Sequence, residues 1–96
     1  MFDLTGFQRD LLFIIAGLDE PHGLGIKDEL EAVYETDVNH GRLYPNLNTL
    51  VEKNLVAKGT IDKRTNSYSI TSRGEELLTD RRAWEAEYID HLVEGE

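Results

Sequence analysis

Cysteine is absent from the 96 residues, which excludes disulfides, thiolate zinc sites and thiol nucleophiles. No apolar run approaches the ~20 residues that span a bilayer. The longest is the short stretch Leu11 to Ala16. The start, Met1-Phe2-Asp3-Leu4, lacks the basic residues of a secretory leader, so a cytoplasmic location is expected. Lysine is scarce, with only Lys27, Lys53, Lys58 and Lys63. Acid is abundant: 19 Asp and Glu against 10 Lys and Arg give a formal charge of −9 at pH 7. Such a balance keeps a surface hydrated in concentrated salt and predicts a halophilic source; an ordinary acidic protein is the alternative. Taken alone, −9 opposes a partner made of phosphates. There is no internal repeat, low-complexity tract or flexible linker. The length fits one domain, or a small domain with an appended helix. A core of this size is modest, and self-association is a way to bury more surface.

Helical periodicity is present from the start. Leu4, Phe7, Leu11, Ile14, Ile15 and Leu18 recur at three- and four-residue steps, with Thr5 and Gln8 as a capping box. Asp19-Glu20-Pro21 and Gly23 end this helix. A second covers about 24–35, with Ile26, Leu30 and Val33 inward. A third starts near Asn39, a good N-cap, and carries Leu43, Leu47, Leu50 and Val51. Pro45 falls at its sixth position, so either the opening turns bend or the helix starts later; the earlier start is preferred. Val56 to Ile61 and Ser67 to Ile70 are β-prone runs around the polar turn 62–66, a hairpin with two cations at its tip. Ser72 and Glu75 read as another capping box, opening a last helix to about Val93. Its stripe is Leu77, Trp84, Tyr88 and Leu92, extended by Leu78 and Ile89.

Three helices followed by a hairpin form the layout of a winged helix-turn-helix, in which the third helix enters the major groove and the hairpin is the wing. The expected fold class is therefore mainly α with a small β-hairpin, residues 1–73 forming the DNA-binding unit and 74–96 a C-terminal dimerisation helix.

Charge is also divided along the chain. Between Asn39 and Arg73 six cations face two acids, a net +4, while the remainder carries −13. Positive charge is concentrated in the segments that this fold turns toward DNA, which answers the objection from net charge. Helical advance of about 100° per residue places Gly41, Pro45, Asn48 and Glu52 opposite the apolar face, with Arg42 and Thr49 on one flank and Tyr44 on the other. Arg42 is the main base-reading candidate, because its fork bridges two acceptors of guanine, and Asn48 can read adenine in the same bidentate way. Asn39 and His40 sit where a helix dipole favours phosphate. Lys63 and Arg64 suit phosphate or the minor groove, assisted by Thr65 and Asn66. Arg73 and Lys27 are weaker candidates.

The segment Gly25-Ile26-Lys27-Asp28-Glu29-Leu30 resembles the second helix of PadR-type transcriptional regulators, with that family's initial glycine nearer Gly23. Gly41-Arg42-Leu43-Tyr44-Pro45-Asn46-Leu47 is similar to its recognition helix. Leu50 to Val56 and Tyr68 to Gly74 match its "L-e-k-x-G-L-V" and "Y-x-I-T-x-x-G" segments. The likeness covers about Leu4 to Leu78. Asn54 replaces the usual glycine, and asparagine also accepts left-handed backbone. The resemblance implies a phosphate contact for the Tyr44 hydroxyl, and a short class dimerising through one helix. Double-stranded DNA and a second copy are thus the expected partners, on a near-palindromic operator. Leu78, Trp84, Tyr88, Ile89 and Leu92 are the interface candidates. A small aromatic ligand beside Trp84 and Tyr88 is the less favoured duty of that pair, and no effector is named.

No cofactor is expected. His22, His40 and His91 lie far apart without metal-site spacing, and neither a phosphate loop nor a nucleophile elbow is present. A winged helix used only for protein–protein contact is the alternative function. It has no use for the positive segment.

Overall fold

The computed structural model describes residues 3–94. Its elements run α1 (Gly6–Gly17), α2 (Gly23–Tyr34), α3 (His40–Glu52), β1 (Val56–Thr60), β2 (Asn66–Ile70) and α4 (Ser72–Glu94). The architecture is mainly helical with one antiparallel hairpin, as expected. The register pairs Val56 with Ile70 and Thr60 with Asn66.

Local chemistry explains the boundaries. Thr5 opens α1 with both bonds of a capping box: the Gln8 amide donates to Thr5 Oγ1 and the Thr5 amide to Gln8 Oε1, each at 3.1 Å. Asn39 caps α3 by accepting from the Gly41 amide at 2.6 Å. The earlier start of α3 is the one adopted, with Pro45 inside the helix. Its missing N–H orphans the Gly41 carbonyl, and both residues are exposed, so water can take that place. Asn54 is left-handed at φ 62°, as its place in the motif requires.

The cap of α4 differs from expectation. Thr71, not Ser72, holds it: the Gly74 amide donates to Thr71 Oγ1 at 3.0 Å, and that hydroxyl donates to the Asn54 carbonyl at 2.7 Å. The Thr71 amide also donates to the Leu55 carbonyl at 3.1 Å. Thr71 therefore ties the end of the α3 turn to the start of α4. Gly74 is required by close approach, since a Cβ there would lie 2.3 Å from the Leu55 oxygen. The "Tyr-x-Ile-Thr-x-x-Gly" segment is a joint of the scaffold.

The core collects Leu4, Phe7, Leu11, Leu12 and Ile15 of the first segment, Ile26 and Leu30 of α2, and Leu43, Leu47 and Leu50 of α3. Leu55 of the turn after α3, with Val56 and Tyr68 of the hairpin, closes it. Val33 departs from its expected inward place: it is 61% exposed. Leu78, expected at a dimer interface, lies instead in the chain's own core at 7% exposure.

Candidate nucleic-acid interface

The wing is anchored beside α2 by a pairing that local patterns do not reveal. The Tyr68 amide donates to the Pro21 carbonyl at 2.9 Å, and His22 bridges to Ser67 in antiparallel fashion. A stub of extended chain before α2 thus acts as a third strand against β2. The wing tip is ordered by Asp62, whose carboxylate accepts from the amides of Arg64 at 2.9 Å and Thr65 at 3.0 Å. The Arg64 amide, first among these, holds the Asp62 pKa below its ordinary value. Lys63 and Arg64 are left exposed at the tip.

Between wing, α2 and α3 lies a cleft of about 230 Å³, lined by His22, Gly23, Leu24, Tyr44, Arg64, Thr65, Asn66 and Tyr68. No carboxylate lines it. Four of the sequence candidates meet here: Tyr44, Arg64, Thr65 and Asn66. Tyr44 is wedged against the start of α2, where a Cβ on Gly23 would come within 2.5 Å of its hydroxyl oxygen. On its other side the His40 ring stacks at 5.7 Å and 21°. Tyr44 and the hairpin tip therefore share one edge.

Other candidates stand apart from the cleft. Arg42 rests with its guanidinium 4.0 Å from the centroid of the Phe7 ring, against α1. Asn39 spends its side-chain oxygen on the α3 cap, and the Thr49 hydroxyl donates to the Pro45 carbonyl at 3.0 Å. Asn48 is exposed, in keeping with its expected outward position. Lys63 lies at the tip beyond the cleft lining. The positive segment is also less united than its sum implies. Lys53 pairs with Asp3 at 3.0 Å, and Arg73 shares a groove with Glu76 and Asp80. Lys27, a weaker candidate, is paired with Glu31 at 3.0 Å.

Sequence reasoning missed His22, Leu24 and Tyr68 as lining residues. Gly23 was noted only as a motif glycine. The pairing of Pro21 with Tyr68 is long-range, so no local signal reveals it. Sequence reasoning also missed a polar relay from α1 to α3. Gln8 Nε2 donates to Asn46 Oδ1 at 3.0 Å, and Asn46 Nδ2 donates to the Arg42 carbonyl at 2.7 Å. This relay fixes α3 against α1.

The model of the transcriptional regulator PadR-like family matches residues 11–80. The chain belongs to this family. Its members are transcriptional regulators. No curated protein matches the sequence. Among solved structures, this PadR-like chain is similar to RosR from H. salinarum, grown from NaBr, at 48% identity and TM-score 0.84 over 88% of this chain and 76% of that one. A complex of the same regulator with S1 aligns at 46% identity and TM-score 0.86, covering 92% and 79% respectively. FabT of Streptococcus pneumoniae, solved in complex with DNA, shares the fold at 16% identity and TM-score 0.78, covering 98% of this chain and 63% of that chain. Among the described residues no helix is long and apolar enough to cross a membrane, and no group of three His, Asp or Glu is placed to hold a metal.

Proposed function

We propose that this PadR-like regulator binds double-stranded DNA sequence-specifically as a homodimer on a near-palindromic operator. In this reading α3 enters the major groove and the wing, residues 62–66, lies on the backbone or in the minor groove. The observation that carries it is the shared edge: Tyr44, Arg64, Thr65 and Asn66 line one cleft without a carboxylate. Asn48 is free to read a base, and His40 and Lys63 flank the track of the backbone. Arg42 reads a base only by leaving the Phe7 ring, so its contribution includes the cost of breaking that cation–π contact, about 0.5–1 kcal/mol at an exposed site. The cytoplasm, where DNA is reached, is the matching location.

Dimerisation is supported by α4. Tyr88 and Leu92 are each 61% exposed and Ile89 is 53% exposed. Trp84 and Tyr88 pack ring to ring at 5.2 Å and line an open apolar groove with Ile89. A second apolar groove runs between α1 and α2, lined by Phe13, Ile14, Leu18 and Val33. The partner's α4 has two faces here on which to settle, and Trp84, Tyr88, Ile89 and Leu92 form our proposed interface. Residues 1–73 and 74–96 then divide the labour between DNA and partner. The likeness to the H. salinarum protein supports the halophilic reading of the −9 charge.

The test is a gel shift with duplex from the protein's own promoter region, run at molar KCl. A retarded band that survives competition by unrelated duplex supports the proposal. Loss to unrelated duplex at equal concentration contradicts sequence specificity, and no band at any salt favours a protein–protein module.

A further inference from the structure

We propose that the cleft between α2 and the wing is a built seat for one backbone phosphodiester, held by the first-turn amides of α2, the Tyr44 and Tyr68 hydroxyls and the Arg64 guanidinium. This rests on the DNA-binding reading, which already uses Tyr44 and Arg64, and adds to them the Tyr68 hydroxyl and the first-turn amides of α2.

Tyr68 is the observation that points to a ligand. Tyr68 is only 2% exposed, yet its hydroxyl has no hydrogen-bond partner among the described residues. A sealed hydroxyl in that position would cost about 1–3 kcal/mol. It is not sealed, because no fully buried polar side-chain atom lacks a partner among those residues. The unpaired hydroxyl therefore opens where Tyr68 lines the cleft. A donor with only this outlet is set for an acceptor arriving from outside.

The start of α2 supplies a second set of donors. His22 occupies the N-cap position without making a side-chain cap bond, so the amides of Gly23 and Leu24 carry no such partner. Helix geometry leaves first-turn amides unsatisfied and aims them at an incoming anion. Gly23 brings its backbone to the Tyr44 hydroxyl at a distance no side chain permits. Arg64 adds formal positive charge, and no carboxylate lines the space to oppose it.

Geometry selects the diester. In that reading α3 addresses the major groove and the wing the backbone or the minor groove beyond it, and a strand of phosphates is what separates the two grooves. That strand must cross between α3 and the wing, which is where the cleft lies. Because phosphates look alike at every base pair, this contact fixes register and not sequence.

The experiment uses the full chain and the Tyr68→Phe variant, which removes only a hydroxyl that bonds nothing in the free protein. Affinity for promoter duplex is expected to fall about tenfold, the scale of one hydrogen bond to a charged group. Affinity for unrelated duplex should fall by the same factor. Single methylphosphonate substitutions along the operator should reveal one phosphate whose neutralisation weakens the wild type but not Tyr68→Phe. Arg64→Ala, at an exposed site, should point to that same phosphate and keeps the test decisive if Tyr68→Phe folds poorly. Unchanged affinity of Tyr68→Phe for a duplex the wild type holds overturns the seat and leaves the DNA-binding reading standing. If the wild type holds no duplex, both fall. Inorganic phosphate separates the sources: if it shifts the Gly23 and Leu24 amide resonances at millimolar concentration while Tyr68→Phe binds duplex normally, the site serves a free anion and the proposal is overturned.

Discussion

Glu35 ends α2 in the left-handed region at φ 56°, where a side chain crowds its own backbone. A β-carbon there costs about 1–2 kcal/mol. Glu35→Gly relieves it at the expense of a more flexible unfolded chain. The expected outcome is a gain in stability of several tenths to about 1 kcal/mol, read as a higher urea midpoint with unchanged slope. A lower midpoint would mean that Glu35 makes a compensating contact. Four positions earlier, Glu31 accepts from the Val38 amide at 2.7 Å and pairs with Lys27 at 3.0 Å. The Val38 amide, and then Lys27, hold its carboxyl below the ordinary 4.5. A lowered pKa in the folded state contributes stability that is fully present above 4.5 and is lost as pH falls through the lowered value. Glu31→Gln should therefore reduce Tm at neutral pH, and the difference from wild type should shrink as pH drops below 4.5. A constant difference at all pH values would assign the effect to packing. Residue-scale features such as the Thr5–Gln8 box and left-handed Asn54 were legible in the sequence because they depend on neighbours within a few positions. Glu35 was not, since nothing in its type announces that conformation.

At the scale of elements, the joint between α3, β2 and α4 carries the arrangement. Thr71 donates to the Asn54 and Leu55 carbonyls and accepts from the Gly74 amide, which ties them to the start of α4. Gly74→Ala should destabilise the whole domain, the clash of a Cβ 2.3 Å from the Leu55 oxygen outweighing the ~1 kcal/mol that this exchange ordinarily gains inside a helix. Thermal unfolding checks this, and an unchanged Tm would show that the joint yields. Element types and order followed from periodicity, including the interior Pro45, because α3 buries Leu43, Leu47 and Leu50 strongly enough to outweigh one lost bond. The cap of α4 was misplaced by one residue: Thr71 and Ser72 are chemically alike, and only the long-range Asn54 carbonyl distinguishes them. The stub before α2 was invisible for the same reason, as its partner Tyr68 lies far along the chain. The cleft therefore could not be read in full, although Tyr44 and the wing tip were.

The whole molecule measures 52 × 29 × 23 Å with a radius of gyration of 14.5 Å. A compact chain of this length has about 12.5 Å. The excess reflects α4, whose 23 residues extend about 35 Å. Its distal apolar residues have no core of their own to lie on, which is the physical case for a second copy. Light scattering at micromolar concentration should give a dimer mass, and Trp84→Ala with Tyr88→Ala should shift it toward monomer. A wild-type monomer would contradict the interface. Salt enters at this scale too. Near 1 M the Debye length is about 3 Å, against about 10 Å at 0.1 M, so distant acids scarcely repel phosphates in concentrated salt. Affinity is then set by direct contacts, and a steep loss with salt of the kind seen for eight or more phosphates would contradict that. The sum of +4 over 39–73 was a fair guide to the wing but overstated the united patch, because Lys53 and Arg73 face acids elsewhere.

The most direct measurement is a fluorescence-anisotropy titration of promoter duplex at molar KCl, comparing wild type with the double reversal Lys63→Glu, Arg64→Glu. Both side chains are exposed at the wing tip, so folding should be unaffected. A fall in affinity of at least a hundredfold with unchanged Tm is the outcome expected if this edge grips the double helix. Equal affinity of the two proteins would contradict it.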